Sequence, residues 1–454
     1  MTVAAPIDRV RLAERFGAET EAFARAHPRC AEAASAGRRT LLMGVPMPWM
    51  AKWASPFPPV VAEASGARFT CLDGLEFSDL CLGDTGAMAG HSPAPTVAAV
   101  EAQLGRGITH MLPTEDAAAV GAELERRFGP PLWQFTLSAT DANRFAIRLA
   151  RHVTGRSKVA FHDRCYHGSV DESFAVLDDA GRVVARRGNT GPPVDPALTT
   201  RVVPFNDVAA LEAALADEDV AVVVMEPALT NVGIVLPDPG YHDAVRDLTR
   251  KTGTLLLIDE THTLCAGWGG YTRAHALDPD IVVVGKAIAG GIPIGAYGLT
   301  AGFARRATDS IELEDVDVGG IGGTLAGNAL SLAAARATLS DVLTPEAFER
   351  MDALATRWTA DVNVIIERHA LPWHVTRLGC RAEYHFLPSP PRTGAEQAAA
   401  TDFPLERYLH LAVLNRGVLI TPFHNMALMS PATVAEDVER HSSAFAEAVE
   451  LLLG

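Results

Sequence analysis

Five apolar runs of strand length constrain this chain most: Lys158–Phe161, Ala221–Met225, Thr254–Ile258, Ile281–Val284 and Ile294–Thr300. Near-continuous Val, Leu and Ile suits strands covered on both faces. Amphipathic helices are expected between several of them, as at Asp207–Ala216 and Asp243–Thr252. This alternation predicts βαβ units in a largely parallel sheet. Another strand, Trp133–Leu137, leads into a helix carrying Phe145, Ile147, Leu149 and Ala150. The expected class is α/β.

Both ends of the chain read differently. Ile7–Ala36 suggests a leading helix or two, and Met43–Pro59 is too rich in proline for a helix. Trp53 lies in that loop and is a candidate for a pocket wall, a subunit contact or simple packing. A strand is expected at Ala67–Thr70, before the Asp73-Gly74 turn. Gly83–Pro93 is a glycine-rich loop, followed by a helix at Pro95–Leu104. After about Asn328 come two long helices, Ala329–Leu343 and Pro345–His369. Strands at Ala382–Leu387 and Gly417–Thr421 and a helix at Ala432–Leu453 follow, making a small α+β domain. Ser389–Ala400 reads as a surface loop. The 454 residues allow two or three domains. The pattern divides them into 1–75 (part of the small domain), 76–325 (large α/β domain) and 326–454 (the rest of the small domain).

The net charge of −16 disfavours a general nucleic-acid binder or a basic membrane-surface protein. No window approaches 18 apolar residues, and Met1–Thr40 has no continuous apolar stretch to serve as a secretory signal. The six cysteines form no C-x-x-C pair, and no H-E-x-x-H occurs, so no metal site is expected. Scattered thiols suit a reducing cytosol, so a cytoplasmic location is expected.

The strongest local signal runs from Leu255 to Gly295. One buried strand ends in Asp259-Glu260, and a second ends near Lys286, 27 positions later. In open α/β sheets ligands bind at the carboxyl ends of strands. A lysine there, followed by Gly290-Gly291, can act as a nucleophilic amine toward an aldehyde cofactor. Asp259 is placed to keep a pyridine nitrogen protonated; a buried ion pair between the two strands is the plainer reading. Ser138-Ala139-Thr140 opens the helix after Trp133–Leu137 and offers a phosphate seat, or an ordinary helix cap. Tyr166 in Arg164–Glu172 could lie over a flat ring, or pack as a loop tyrosine. Gly319–Asn328 lets backbone approach an anion closely, with Thr324 as a donor, or simply links domains. Neither a dinucleotide fingerprint nor a P-loop is present.

Together these pieces resemble the class III aminotransferases, pyridoxal-phosphate enzymes of fold type I that include ω-transaminases and glutamate-1-semialdehyde aminomutase. The resemblance covers about residues 40 to 450, in order. Its motifs are Ser138-Ala139-Thr140-Asp141-Ala142-Asn143, Tyr166-His167-Gly168, Glu226-Pro227 with Asn231, Asp259-Glu260, Lys286 and Gly323-Thr324. It implies a large domain with a mostly parallel, seven-stranded-type sheet and a small α+β domain. By resemblance, Lys286 forms the internal aldimine and later moves a proton, and Asp259 pairs with the ring nitrogen. Tyr166 and Thr261 cover the two ring faces. His262 falls where the family often carries Gln or Met, near the phenolic oxygen. Ser138, Ala139 and Thr140 bind the phosphate, joined by Thr324 of a partner chain, which implies a homodimer with shared sites. His167, Glu226 and Asn231 complete the cofactor set. Ala139 for glycine, Asp141 for Glu and the Asp259–His262 tetrad depart from the usual pattern and suggest a separate subfamily.

Substrate residues are sought outside these motifs. Arg381 is the best carboxylate clamp, although Arg381 and Glu383 share a strand face and could form a mutual surface ion pair. The Thr421–Ser430 stretch carries no arginine, and His424 stands there as a pocket-wall candidate. The leading expectation is a ping-pong aminotransferase acting on a small amino donor and a keto acceptor, the donor being an amine or an amino acid with its nitrogen at α, at β or distal. The alternatives are an intramolecular aminomutase of the glutamate-1-semialdehyde type and a catalytically silent relative.

Overall fold

A computed structural model describes residues 7–310 and 319–454. The chain divides into two compact units. One is made of Met1–Pro93, Glu346–Pro390 and Ala400–Gly454, the other of Ala94–Pro345 and Pro391–Ala399. These bounds differ from the divisions at 75/76 and 325/326. Glu76–Asp79 goes with the first unit because it pairs antiparallel with Arg68–Cys71. The helix Ala329–Ala337 goes with the second because it packs on the helices Ala94–Leu104 and Glu115–Phe128.

The second unit is built on seven strands: β1 (Leu132–Thr136), β2 (Lys158–His162), β3 (Thr200–Val203), β4 (Val220–Met225), β5 (Leu255–Asp259), β6 (Ile281–Val284) and β7 (Gly295–Leu299). Their order across the sheet is β1-β7-β6-β5-β4-β2-β3. All neighbouring pairs from β6 to β3 are parallel. β7 runs antiparallel to both β6 and β1, so it alone is reversed. β4, β5, β6 and β7 are buried at every position, as expected of strands covered on both faces. Register places Asp259 beside Val283 and Ile258 beside Met225. Asp259 therefore sits level with Glu226, the residue after β4, while Lys286 lies three residues beyond Val283, past the end of β6.

Helix α1 (Ala139–Thr154) covers the sheet with a stripe of Ala142, Ala146, Ile147 and Ala150. Gly155 stops it in a left-handed conformation, φ 69°. Ser389–Ala400 is not merely a surface loop. Gly394–Ala399 is a short helix, with Gly394 and Gln397 buried in the second unit. A Cβ at Gly394 would lie 2.8 Å from the Asp163 carbonyl oxygen, so only glycine permits this approach.

The first unit draws on both ends of the chain. Val61–Ser65, Arg68–Cys71, Glu76–Asp79 and Val418–Leu419 form one sheet, and His374–Leu378, Arg381–His385 and Met426–Leu428 another. The helices Arg9–Ala26 and Ala435–Leu453 both pack on Phe403–Asn415. The proline-rich segment from Met43 contains a short 3₁₀ turn, Pro48–Ala51, that begins at a proline. The helix expected at Ala329–Leu343 is α-helical only to Ala337 and continues as a π turn, Thr338–Val342. No helix among the described residues is long and apolar enough to cross a membrane.

Candidate active site

Three segments converge at the carboxyl end of the sheet. Ser138, extended at φ −156°, caps α1 by accepting the Asp141 N–H at 3.3 Å. The first helical bond runs from Ala142 N to Ser138 O, so the N–H groups of Ala139 and Thr140 lie ahead of it. The loop after β2 presses on this helix start. Ser169 N donates to Thr140 Oγ1 at 3.3 Å, and a Cβ on Gly168, at φ 77°, would collide with Thr140. On the other side a Cβ on Gly285 would lie 2.9 Å from that of Ala139. The result is a helix N-terminus, with a hydroxyl beside it, walled by two glycines and suited to an anion.

Asp259 is the anionic centre. Its Oδ2 accepts from Asn143 Nδ2 at 2.8 Å and faces His167 Nδ1 at 2.8 Å; its Oδ1 accepts from Thr261 N at 3.0 Å. Burial alone would raise its pKa, but His167, Thr261 and Asn143 outweigh burial and hold it below the ordinary carboxylate range. Burial works against a charge on His167 as well, yet Cys165 and Asp259 lift the imidazole well above its usual value. Asn143 belongs to the Ser138–Asn143 motif but had no expected role. Its signal was a fully buried amide beside Ala142 and Ala146, on the apolar stripe of α1.

Glu226 and Asn231 serve the neighbouring loop. Glu226 accepts from Tyr166 N at 3.3 Å and from Thr230 N at 3.1 Å, while Asn231 Nδ2 donates to Arg164 O at 2.9 Å. Burial raises the Glu226 pKa. Both side chains thus tie the strand β4 end to the loop that carries Tyr166, which is half-buried and meets Phe174 edge-on at 6.2 Å.

Lys286 sits at φ 52°, a left-handed conformation costly for a side chain with a Cβ. Its Nζ lies 2.7 Å from His262 Nε2. The His262 segment is anchored from beneath by Glu260, which is fully buried and accepts from Thr263 Oγ1 at 2.6 Å, Tyr271 N at 3.0 Å and Thr272 N at 2.5 Å. Burial raises the Glu260 pKa. Lys286 and Asp259 thus end adjacent strands, Lys286 beside His262 and Asp259 among Asn143, His167 and Thr261. Thr324 stands exposed in the turn before Asn328.

The candidate substrate residues Trp53, Arg381 and His424 all belong to the first unit. Arg381 and Glu383 do face each other, but not at the surface: they are 0% and 3% exposed, with 3.6 Å between Nη2 and Oε2. His424 Nδ1 lies 3.3 Å from Glu383 Oε1. Burial would raise the Glu383 pKa, but His424 and Arg381 bring it down to about 2. Trp53 lines a small cavity of about 100 Å³ with Met43, Phe57 and Arg38. Nearby, Glu406 is buried and its carboxyl is pushed up to about 7, chiefly by burial. An unfolded glutamate titrates at about 4.3. Between these values the folded chain binds more protons than the unfolded one, so stability falls as pH rises. Glu406→Gln should flatten the thermal midpoint between about pH 4.5 and 7 and raise it at pH 8 relative to the parent. An unchanged slope, measured by circular dichroism, would count against this assignment.

Comparison with known proteins gives one consistent family. The aminotransferase class-III family model matches residues 49–449. A glutamate-1-semialdehyde 2,1-aminomutase of Sorangium cellulosum is 36% identical over 403 residues, covering 86% of this chain and 89% of its own length. The crystal structure of a glutamate-1-semialdehyde-aminomutase from Pseudomonas aeruginosa PAO1 is 49% identical with a TM-score of 0.96, covering 98% of this chain and 99% of that one. The same protein is known as K286A in complex with PMP. An omega-transaminase from Sphaerobacter thermophilus matches at TM-score 0.85 and 28% identity, covering 94% of this chain and 98% of that one. The residues present fit pyridoxal phosphate: an amine at Lys286, a buried ionised carboxylate at Asp259 and a glycine-walled helix N-terminus for the phosphate. The chain belongs to the class III aminotransferase family, whose cofactor is pyridoxal phosphate.

Proposed function

We propose that this chain is an intramolecular aminomutase that moves an amino group from C2 to C1 of glutamate 1-semialdehyde. The near full-length match to proteins bearing that name carries the reading and favours it over a general transaminase. Bound pyridoxal phosphate supplies the carbonyl that an amine attacks and an electron sink for charge on the substrate carbon. Lys286 supplies the amine and holds or returns a proton at Nζ. The Asp259 carboxylate, backed by His167 and Asn143, holds a cationic ring nitrogen. Ala139, Thr140 and the α1 N-terminus seat the phosphate, with the Ser138 cap setting their geometry. Tyr166 and Thr261 bound the ring faces, and Glu226 and Asn231 keep the Tyr166 loop in place.

One observation favours transamination as a second reading. A glutamate-derived carboxylate needs a cation, yet Arg381 is buried opposite Glu383. His424 is turned to the same Glu383, and Thr421–Ser430 offers no arginine. An amine, or an amino acid paired with a keto acceptor, then fits better. In that reading Arg381 and His424 serve Glu383 instead of a substrate carboxylate.

All six cysteines are free and buried, which supports a reducing, cytoplasmic setting. We infer a homodimer in which Thr324 completes the phosphate seat of the second copy; full activity in a species that light scattering shows to be monomeric would overturn that role. The main reading expects glutamate 1-semialdehyde alone to yield its C1-amino isomer, followed by mass spectrometry. Turnover that appears only with added pyruvate or 2-oxoglutarate would replace mutase by transaminase. Gly168→Ala should weaken cofactor binding by about tenfold or more, because the methyl group collides with Thr140 at a positive φ. Cofactor titration at the visible band measures this, and an unchanged affinity would remove Thr140 from the seat.

A further inference from the structure

Two of the six cysteines meet although they lie far apart in sequence. Cys30 sits in the first turn of the helix Pro28–Gly37, and Cys71 ends the strand Arg68–Cys71. Their sulfurs and a carboxylate oxygen of Asp73 all lie within 4.8 Å of one another. The two cysteines are 0% and 1% exposed, and Asp73 is half-buried. All three belong to the first unit, whereas Lys286 and Asp259 belong to the second.

Backbone bonds fix the three side chains relative to one another. Cys71 N donates to Leu75 O at 3.0 Å and Gly74 N to Cys71 O at 2.9 Å, which closes the turn carrying Asp73. Gly74 allows that turn with φ 79°. Asp73 accepts from Arg29 N at 2.7 Å and Cys30 N at 3.0 Å, so it caps the helix that carries Cys30. Val60 N donates to Cys30 Sγ at 3.3 Å, and Val60 O accepts from Leu72 N at 2.8 Å. An N–H group directed at sulfur supports a thiolate ligand. Buried cysteines often serve as small apolar fillers, but a filler does not need a carboxylate beside it. Among the described residues, no lysine or arginine forms an ion pair with Asp73.

We propose that Cys30, Cys71 and Asp73 bind a divalent cation of the zinc class. Magnesium and calcium take oxygen ligands, so two sulfurs and one carboxylate select a softer ion. Around tetrahedral zinc two sulfurs lie about 3.8 Å apart, so the present separations close by at most about 1 Å. Each thiol gives up its proton to solvent as its sulfur takes the ion. Water reaches the half-exposed Asp73 side and fills the fourth position. The ion ties the helix Pro28–Gly37 to the turn after Cys71 and, through Val60, steadies the end of the proline-rich segment that carries Trp53. Local spacings such as C-x-x-C do not reveal a set assembled across the fold. The site is independent of the proposed function.

The test is zinc titration of the full-length chain loaded with pyridoxal phosphate and kept reduced by a phosphine. Calorimetry reads affinity, and zinc X-ray absorption reads the ligands. One zinc per chain is expected, with two sulfur neighbours at about 2.3 Å. Cys71→Ser and, separately, Asp73→Asn should weaken binding by about tenfold or more, since outer contacts alone are worth that much at metal sites. Zinc should raise the thermal midpoint of the parent and leave those of the variants unmoved. If Cys71→Ser does not fold, Asp73→Asn decides, because its amide keeps an oxygen for the helix cap. Equal zinc affinity in parent and folded variants would overturn the proposal. So would a spectrum without sulfur neighbours, or a Cys30–Cys71 disulfide found by peptide mass spectrometry in the reduced protein.

Discussion

A carboxylate kept ionised in a buried site is the constraint on which the second unit depends. Asp259 ends a strand buried at every position, and its charge survives because three segments reach it: helix α1 through Asn143, the loop after β2 through His167 and the turn after β5 through Thr261. Each segment has its own support. Asn231 and Glu226 tether the loop to the end of β4, and the Gly168–Thr140 contact packs it against the start of α1. Removing a single donor would leave a buried charge under-compensated, which costs more than losing an exposed pair.

The same end of the sheet holds three carboxyl groups in different electrostatic states. Asp259 is held low by His167, Thr261 and Asn143, despite burial. Glu260 points to the opposite face, as strand alternation requires, and burial raises its pKa against four hydrogen-bonding contacts. Glu226 is likewise raised by burial and binds a hydroxyl and two backbone N–H groups. Residue type alone does not separate a carboxyl held below its usual pKa from two raised above it; burial and the local set of donors do.

Much of this was legible in the residues. Strands covered on both faces leave near-continuous Val, Ile and Leu, so β2, β4, β5 and β6 could be found, and the charges that end β5 and β6 stood out against them. The reversal of β7 was not legible, because strand direction leaves little mark on a five-residue composition. Arg381 and Glu383 could be paired from their spacing of two, but not buried. Their cover comes from distant segments, such as Met426–Leu428 pairing with Arg381–His385, which no local pattern announces. The helix at Gly394–Ala399 hid behind Ser-Pro-Pro, a run that reads as loop wherever it occurs.

The interleaving of the two units bears on how the chain is made. The strand Glu76–Asp79 finds its neighbour Val418–Leu419 only after most of the chain has been synthesised. The second unit also waits for Pro391–Ala399, where Arg392 meets Asp238 and its carbonyl accepts from Asn206 at 2.9 Å. On a ribosome that delivers the N-terminus first, neither unit can close until about the last seventh of the chain emerges. The sheet and its charged rim can be assembled early, but the nascent protein stays open, with unpaired strand edges, until that late stretch arrives.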